Sequence, residues 1–133
     1  SSARAAPRPK SVPKKEDPIA GKEVLDKTVL DKLKELQQAA PSEPDLITTL
    51  VNLFNQDTPA KLQALREAVE QGNLGNLERT AHSLKGSCGN LGARRMAVLS
   101  AQLETTREPE KAKVLINQLE EEYQLVKAGL QTA

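Results

Sequence analysis

His82 is the only histidine in 133 residues, and its neighbours decide what chemistry it could do. Lys85, Gly86 and Gly89 follow it at spacings of three, four and seven, which places them on the same side of an α-helix. On a wheel of ~100° per residue with His82 at zero, Gly75, Glu78, Arg79, Lys85, Gly86 and Gly89 fall within roughly 60° of it. Leu77, Leu84, Cys88 and Leu91 gather around the opposite direction, with Thr80 beside them, and form the core stripe. His82 therefore faces outward. An ammonium one turn away attracts an incoming anion and disfavours a second positive charge on the ring, leaving an imidazole lone pair available near neutral pH. Each glycine on an exposed helical face costs about 1 kcal/mol against alanine. The economical account of three such glycines is that something approaches the backbone closely around His82. A lone surface histidine ordinarily does nothing, and a lone lysine is a solvated charge. The combination with Gly86 and Gly89 suits receipt of a phosphoryl group. Cys88 points inward, which favours packing over redox chemistry.

The elements that must hold this face are helical. Aromatic residues make up 2% of the chain, and Leu, Ala, Glu, Lys and Gln dominate, the composition of an all-α protein. Leu25, Val29, Leu33, Leu36 and Ala40 predict an amphipathic helix over residues 23–40, stopped by Pro41 and Pro44. Ile47, Leu50, Phe54, Thr58, Leu62, Leu65 and Val69 keep one helical phase across Pro59. That predicts a single helix over 45–71 with a kink near Asn55. Gly72 ends it, and Asn73 is placed to cap the helix that carries His82, over 74–90. A fourth helix follows Gly92 with Met96, Leu99 and Leu103 on one side. Pro109 suits the first turn of the last helix, which carries Ala112, Leu115, Leu119, Tyr123, Val126 and Leu130. Short connections between long helices favour antiparallel neighbours. The expected fold is an antiparallel up-down four-helix bundle with an additional N-terminal helix covering one end or flank.

Charge and composition exclude several classes. The net charge is +1, but residues 1–22 carry Arg4, Arg8, Lys10, Lys14, Lys15 and Lys22 against Glu16 and Asp17. This segment has no aromatic residue to stack on bases. Its Pro7, Pro9, Pro13 and Pro18 read as a flexible, solvated connector rather than a nucleic-acid arm. The longest apolar run, Met96 to Leu99, is far short of the ~20 residues of a membrane-spanning helix. One histidine and one cysteine cannot build a zinc site of three or four such ligands within one chain. Beginning at Ser1 with no visible secretory signal, the chain reads as a piece of a longer protein.

The run Ala81-His82-Ser83-Leu84-Lys85-Gly86-Ser87-Cys88-Gly89-Asn90-Leu91-Gly92-Ala93 resembles the signature of the histidine-containing phosphotransfer (HPt) domain of bacterial phosphorelays. His82, Leu84, Lys85, Gly86, Leu91 and Gly92 match it. The resemblance extends over most of residues 25–130, through a Gly-containing turn at Gly72 and a Leu-Glu pair at Leu103-Glu104. It implies a shuttle. His82 Nε2 would take a phosphoryl group from a receiver-domain aspartate and pass it to another response regulator. Lys85 would steady the phosphoryl oxygens, and Gly86 and Gly89 would let the receiver's loops close over His82. Arg79 and Ser83 would flank the contact.

The resemblance also implies a setting. Residues 23–133 would form the domain behind the 1–22 linker, as the C-terminal module of a hybrid sensor kinase. No cofactor is expected in this chain, and the Mg²⁺ of the reaction belongs in the receiver's acidic pocket. The expected partners are response-regulator receiver domains, with no nucleic acid and no membrane contact by this fragment. The isolated domain is expected to be a monomer in the cytoplasm, free or as the cytoplasmic part of a membrane-bound sensor kinase. A phosphotransfer intermediate fits better than an autonomous kinase, because no glycine-rich phosphate loop joins a strand here. A kinase dimerisation domain usually has an acidic residue directly after its histidine, where this chain has Ser83. The remaining alternative is a helical adaptor that binds receivers without transferring phosphate.

Overall fold

The computed structural model describes residues 19–132; residues 1–18 of the expected connector lie outside them. The described residues form five helices and no strand: α1 (Lys27–Ala39), α2 (Leu46–Gln71), α3 (Leu74–Leu91), α4 (Arg94–Thr105) and α5 (Pro109–Thr132). Helix α2 packs on α3, α3 on α4, α4 on α5, and α5 closes the ring against α2. Helix α1 lies outside this four-helix ring, against α2 and α3. The core is a continuous set of buried apolar side chains, with Leu65, Leu84, Met96, Leu99, Leu103 and Leu119 fully enclosed. No helix among the described residues is long and apolar enough to cross a membrane.

Local chemistry sets the helix ends. Helix α1 begins at Lys27, later than the apolar pattern suggests, because Asp26 caps it by accepting from the Thr28 N–H at 2.9 Å. Asp26 is itself held in place, its N–H donating to the Gly92 carbonyl at 2.6 Å. Asn73 caps α3 by accepting from the Asn76 N–H at 3.0 Å, as expected of that residue type. Gly72 and Gly92 end α2 and α3 in the left-handed region, with φ of 67° and 75°. At Gly92 the glycine answers a second demand, since a Cβ there would lie 3.0 Å from both the Asp26 carbonyl and Val29 Cβ. The approach of α1 thus accounts for Gly92 without any partner.

Helix α2 runs uninterrupted through Pro59. Proline leaves the carbonyl four residues back without its intrahelical donor, and that carbonyl is Asn55's. The Tyr123 hydroxyl from α5 reaches it at 3.4 Å and donates to Asn55 Oδ1 at 3.1 Å. The same ring meets Phe54 edge-on, with centroids 5.7 Å apart. An ion pair between half-buried Arg95 and buried Glu122, Arg95 Nη2 to Glu122 Oε2 at 2.7 Å, ties α4 to α5. Glu122 is a charged residue that the apolar periodicity of α5 does not reveal.

Candidate functional site

Helix α3 places His82 as its wheel requires. Leu77, Ala81, Leu84, Cys88 and Leu91 are buried beneath, and the His82 side chain is 69% exposed. Burial pushes the Cys88 thiol up to about 12, so the single cysteine stays protonated and inert.

The decisive neighbour comes from α4. Glu104 Oε2 lies 2.7 Å from His82 Nδ1, and Glu104 Oε1 lies 2.5 Å from Lys85 Nζ. One carboxylate therefore bridges the imidazole and the ammonium. Its hydrogen bonds to Lys85 first and His82 second hold the Glu104 carboxyl below the usual carboxylate range. An ionised carboxylate only accepts hydrogen bonds, so Nδ1 carries the proton in this pair. Nε2 is then the nitrogen left for a partner, with no hydrogen-bond partner among the described residues. The expectation that Lys85 acts on His82 directly is incomplete, because Glu104 bridges the two side chains.

Glu104 is absent from the site residues inferred from sequence, although it belongs to the Leu103-Glu104 pair noted there. The signal lay in the turn. His82 precedes Ala93 by as many residues as Glu104 follows it, and an αα-hairpin brings such positions to the same level. Leu103 is fully buried, and its neighbour Glu104 lies at the rim of the core, only 18% exposed.

The glycines of this face divide into two kinds. A Cβ built on Gly86 or Gly89 would meet nothing within 4 Å among the described residues, so their bareness serves no packing there. Gly75 differs, because its Cβ would come 3.4 Å from Arg79 Nη1. Arg79 folds back over the start of α3 to hydrogen-bond Asn76 Oδ1. Arg79 and Ser83 line an open groove between α3 and α2, opposite Ala60, Lys61 and Ala64. Lys61 Nζ donates to Ser87 Oγ at 2.9 Å across this groove. Ser87 in turn donates to the Ser83 carbonyl at 3.2 Å.

Fold and site together define a helical-bundle domain that presents one oriented, outward-facing imidazole on a cleared helix surface. The Hpt domain family model matches residues 49–129, a span that contains α3 and α4 and leaves α1 outside. The crystal structure of histidine-containing phosphotransfer protein B (HptB) from Pseudomonas aeruginosa PAO1 is similar to this chain. It has a TM-score of 0.69 and 32% identity, covering 82% of this chain and 92% of that one. A comparison with curated proteins finds no match. The chain belongs to the Hpt domain family, and its function is histidine phosphotransfer in phosphorelay signalling. Domains of this family interact with response-regulator receiver domains.

Proposed function

We propose that His82 Nε2 is the phosphoacceptor of this chain, receiving the group from a receiver's aspartyl phosphate and returning it to another receiver's aspartate. The observation that carries this reading is the Glu104 hydrogen bond to Nδ1 at 2.7 Å, which occupies Nδ1 and leaves Nε2 as the nitrogen free to meet a phosphoryl group. In the forward step that lone pair forms the N–P bond. The P–O bond to the donor aspartate breaks, and its electron pair stays on the aspartate carboxylate. The ring gains positive character as it does so, and Glu104 balances that charge while keeping the Nδ1 proton. Phosphoryl transfer asks mainly for positioning and charge stabilisation. Lys85 supplies the cation for the phosphoryl oxygens, and the receiver's own acidic pocket would hold the Mg²⁺ that supplies further charge neutralisation.

Gly86 and Gly89 leave the backbone open for the receiver's loops, and Arg79 and Ser83 flank that approach beside the α2–α3 groove. The domain acts as a monomer, a reading supported by the scatter of its exposed apolar residues Leu36, Leu53, Leu74, Val114 and Leu125 over four helices. The Pro- and Lys-rich segment 1–22 tethers it as the C-terminal module of a hybrid sensor kinase, on the cytoplasmic side. Incubation with a phosphorylated receiver, followed by peptide mapping, tests the assignment of His82. Acid-labile phosphate on the His82 peptide is expected. Receiver binding with no label on that peptide identifies a passive adaptor instead.

A further inference from the structure

Lys85 is already engaged before any phosphate arrives. Its Nζ lies 2.5 Å from Glu104 Oε1, on the carboxylate that holds His82 at the Nδ1 edge of the ring. The two ring nitrogens point to different edges of the imidazole. The resting contact of Lys85 is therefore with the Nδ1 partner and not with Nε2. We propose that Glu104 is a positioning residue that keeps Lys85 in the resting state and yields it to the phosphoryl oxygens once His82 is loaded. This rests on the reading of His82 as phosphoacceptor.

Charge drives the exchange. At rest Glu104 offers Lys85 a single negative charge shared with the His82 ring. A phosphoryl group on Nε2 offers up to two negative charges and three acceptor oxygens. Lys85 is half-exposed, at 39%, on a flexible four-carbon stem, so it can change partners without disturbing the core. No covalent bond at Glu104 or Lys85 is made or broken. The consequence is kinetic. Electron density on the phosphoryl oxygens drives expulsion of the ring nitrogen, and an ammonium on those oxygens slows it. By competing for Lys85, Glu104 keeps the phosphohistidine labile enough to hand on.

Phosphoramidate provides a donor that needs no receiver: the N–P bond forms at His82 as the donor's P–N bond breaks and ammonia leaves. The half-life of acid-labile phosphate is then measured in the wild type, Glu104→Gln, Lys85→Ala and the double variant. The Gln amide oxygen still accepts from Nδ1 but holds no ammonium. Glu104→Gln should lengthen the half-life about two- to fivefold, the scale of an exposed charge interaction. Lys85→Ala should shorten it, and the double variant should match Lys85→Ala, because Glu104 acts through Lys85. The Lys85 Cε resonance should also move when wild type is loaded, and should already be displaced in unloaded Glu104→Gln. If Glu104→Gln lengthens the half-life equally with Lys85 absent, or the Lys85 resonance stays fixed on loading, the exchange is refuted while His82 remains the acceptor. If wild type acquires no acid-labile phosphate at His82, the phosphoacceptor reading itself fails.

Discussion

His82→Gln removes the one imidazole from an exposed position, so the fold should be undisturbed. Its far-UV circular dichroism and urea midpoint should match wild type, with no acid-labile phosphate acquired. Lys85→Ala acts at a half-exposed position and should lower the urea midpoint only slightly, through the lost ion pair with Glu104. It should slow single-turnover transfer from a phosphorylated receiver onto His82 at saturating receiver, where a docking charge alone would change only affinity, and less so at high salt. Glu104 adds a pH dependence. Its folded-state carboxyl is lowered, by Lys85 first and His82 second, so the unfolded chain takes up the proton first as pH falls. The contribution of Glu104 is then complete above the ordinary carboxylate range and is lost as pH falls through the lowered folded value. Between neutral and acid pH, Glu104→Gln should lose less unfolding free energy than wild type, as urea titrations at each pH would read out. A larger acid loss in the variant would contradict the bridge. His82, Lys85, Gly86 and Gly89 were legible in the sequence because a single helical wheel relates them. Glu104 was harder to see, because its approach depends on how α3 and α4 pair across the Gly92–Ala93 turn.

At the scale of elements, one glycine within α3 and one at its cap answer to different physics. Gly86 is open to solvent with nothing within 4 Å of a Cβ, so Gly86→Ala should stabilise the protein by about 0.5–1 kcal/mol. Gly86→Glu should stay folded and impair transfer, by placing bulk and negative charge where a receiver's acidic pocket approaches. Wild-type transfer by Gly86→Glu would remove the close-approach argument. Gly92 has φ 75° with the Asp26 carbonyl and Val29 Cβ at 3.0 Å from a Cβ, so Gly92→Ala should cost about 1–3 kcal/mol. Thermal melts of the two alanine variants should move in opposite directions. Tyr123→Phe removes the hydroxyl that serves Asn55 beside Pro59. It should cost about 0.5–1.5 kcal/mol. The helices themselves follow from apolar spacing, and the unbroken phase from Ile47 to Val69 outweighed the proline between. The start of α1 did not follow from apolar spacing, because it is set by the Asp26 cap on the Thr28 N–H and by the bond from Asp26 to the Gly92 carbonyl.

Over the whole molecule, the four-helix ring serves as a rigid mount for one hydrogen bond between α3 and α4. Its least expected support is the Arg95–Glu122 pair, in which Arg95 Nε and Glu122 Oε1 have no hydrogen-bond partner among the described residues. Arg95→Ala leaves Glu122 unpaired in the interior and should cost about 3–5 kcal/mol, whereas the double change Arg95→Met with Glu122→Leu should cost far less. Chemical denaturation of both variants checks this, and equal losses would mean the site depends on shape rather than charge. Because neither residue belongs to the phosphotransfer face, the double variant should still accept phosphate on His82. The central claim is that this mount presents His82 as a two-way carrier, and a chase experiment tests it most directly. Domain labelled on His82 is freed of donor and mixed with an unphosphorylated receiver and Mg²⁺, and the label is followed over time. The account requires phosphate to leave His82 and appear on the receiver's aspartate, with His82→Gln never labelled at the first stage. Phosphate that stays on the domain in the presence of receivers able to bind it, or label acquired by His82→Gln, would contradict the account.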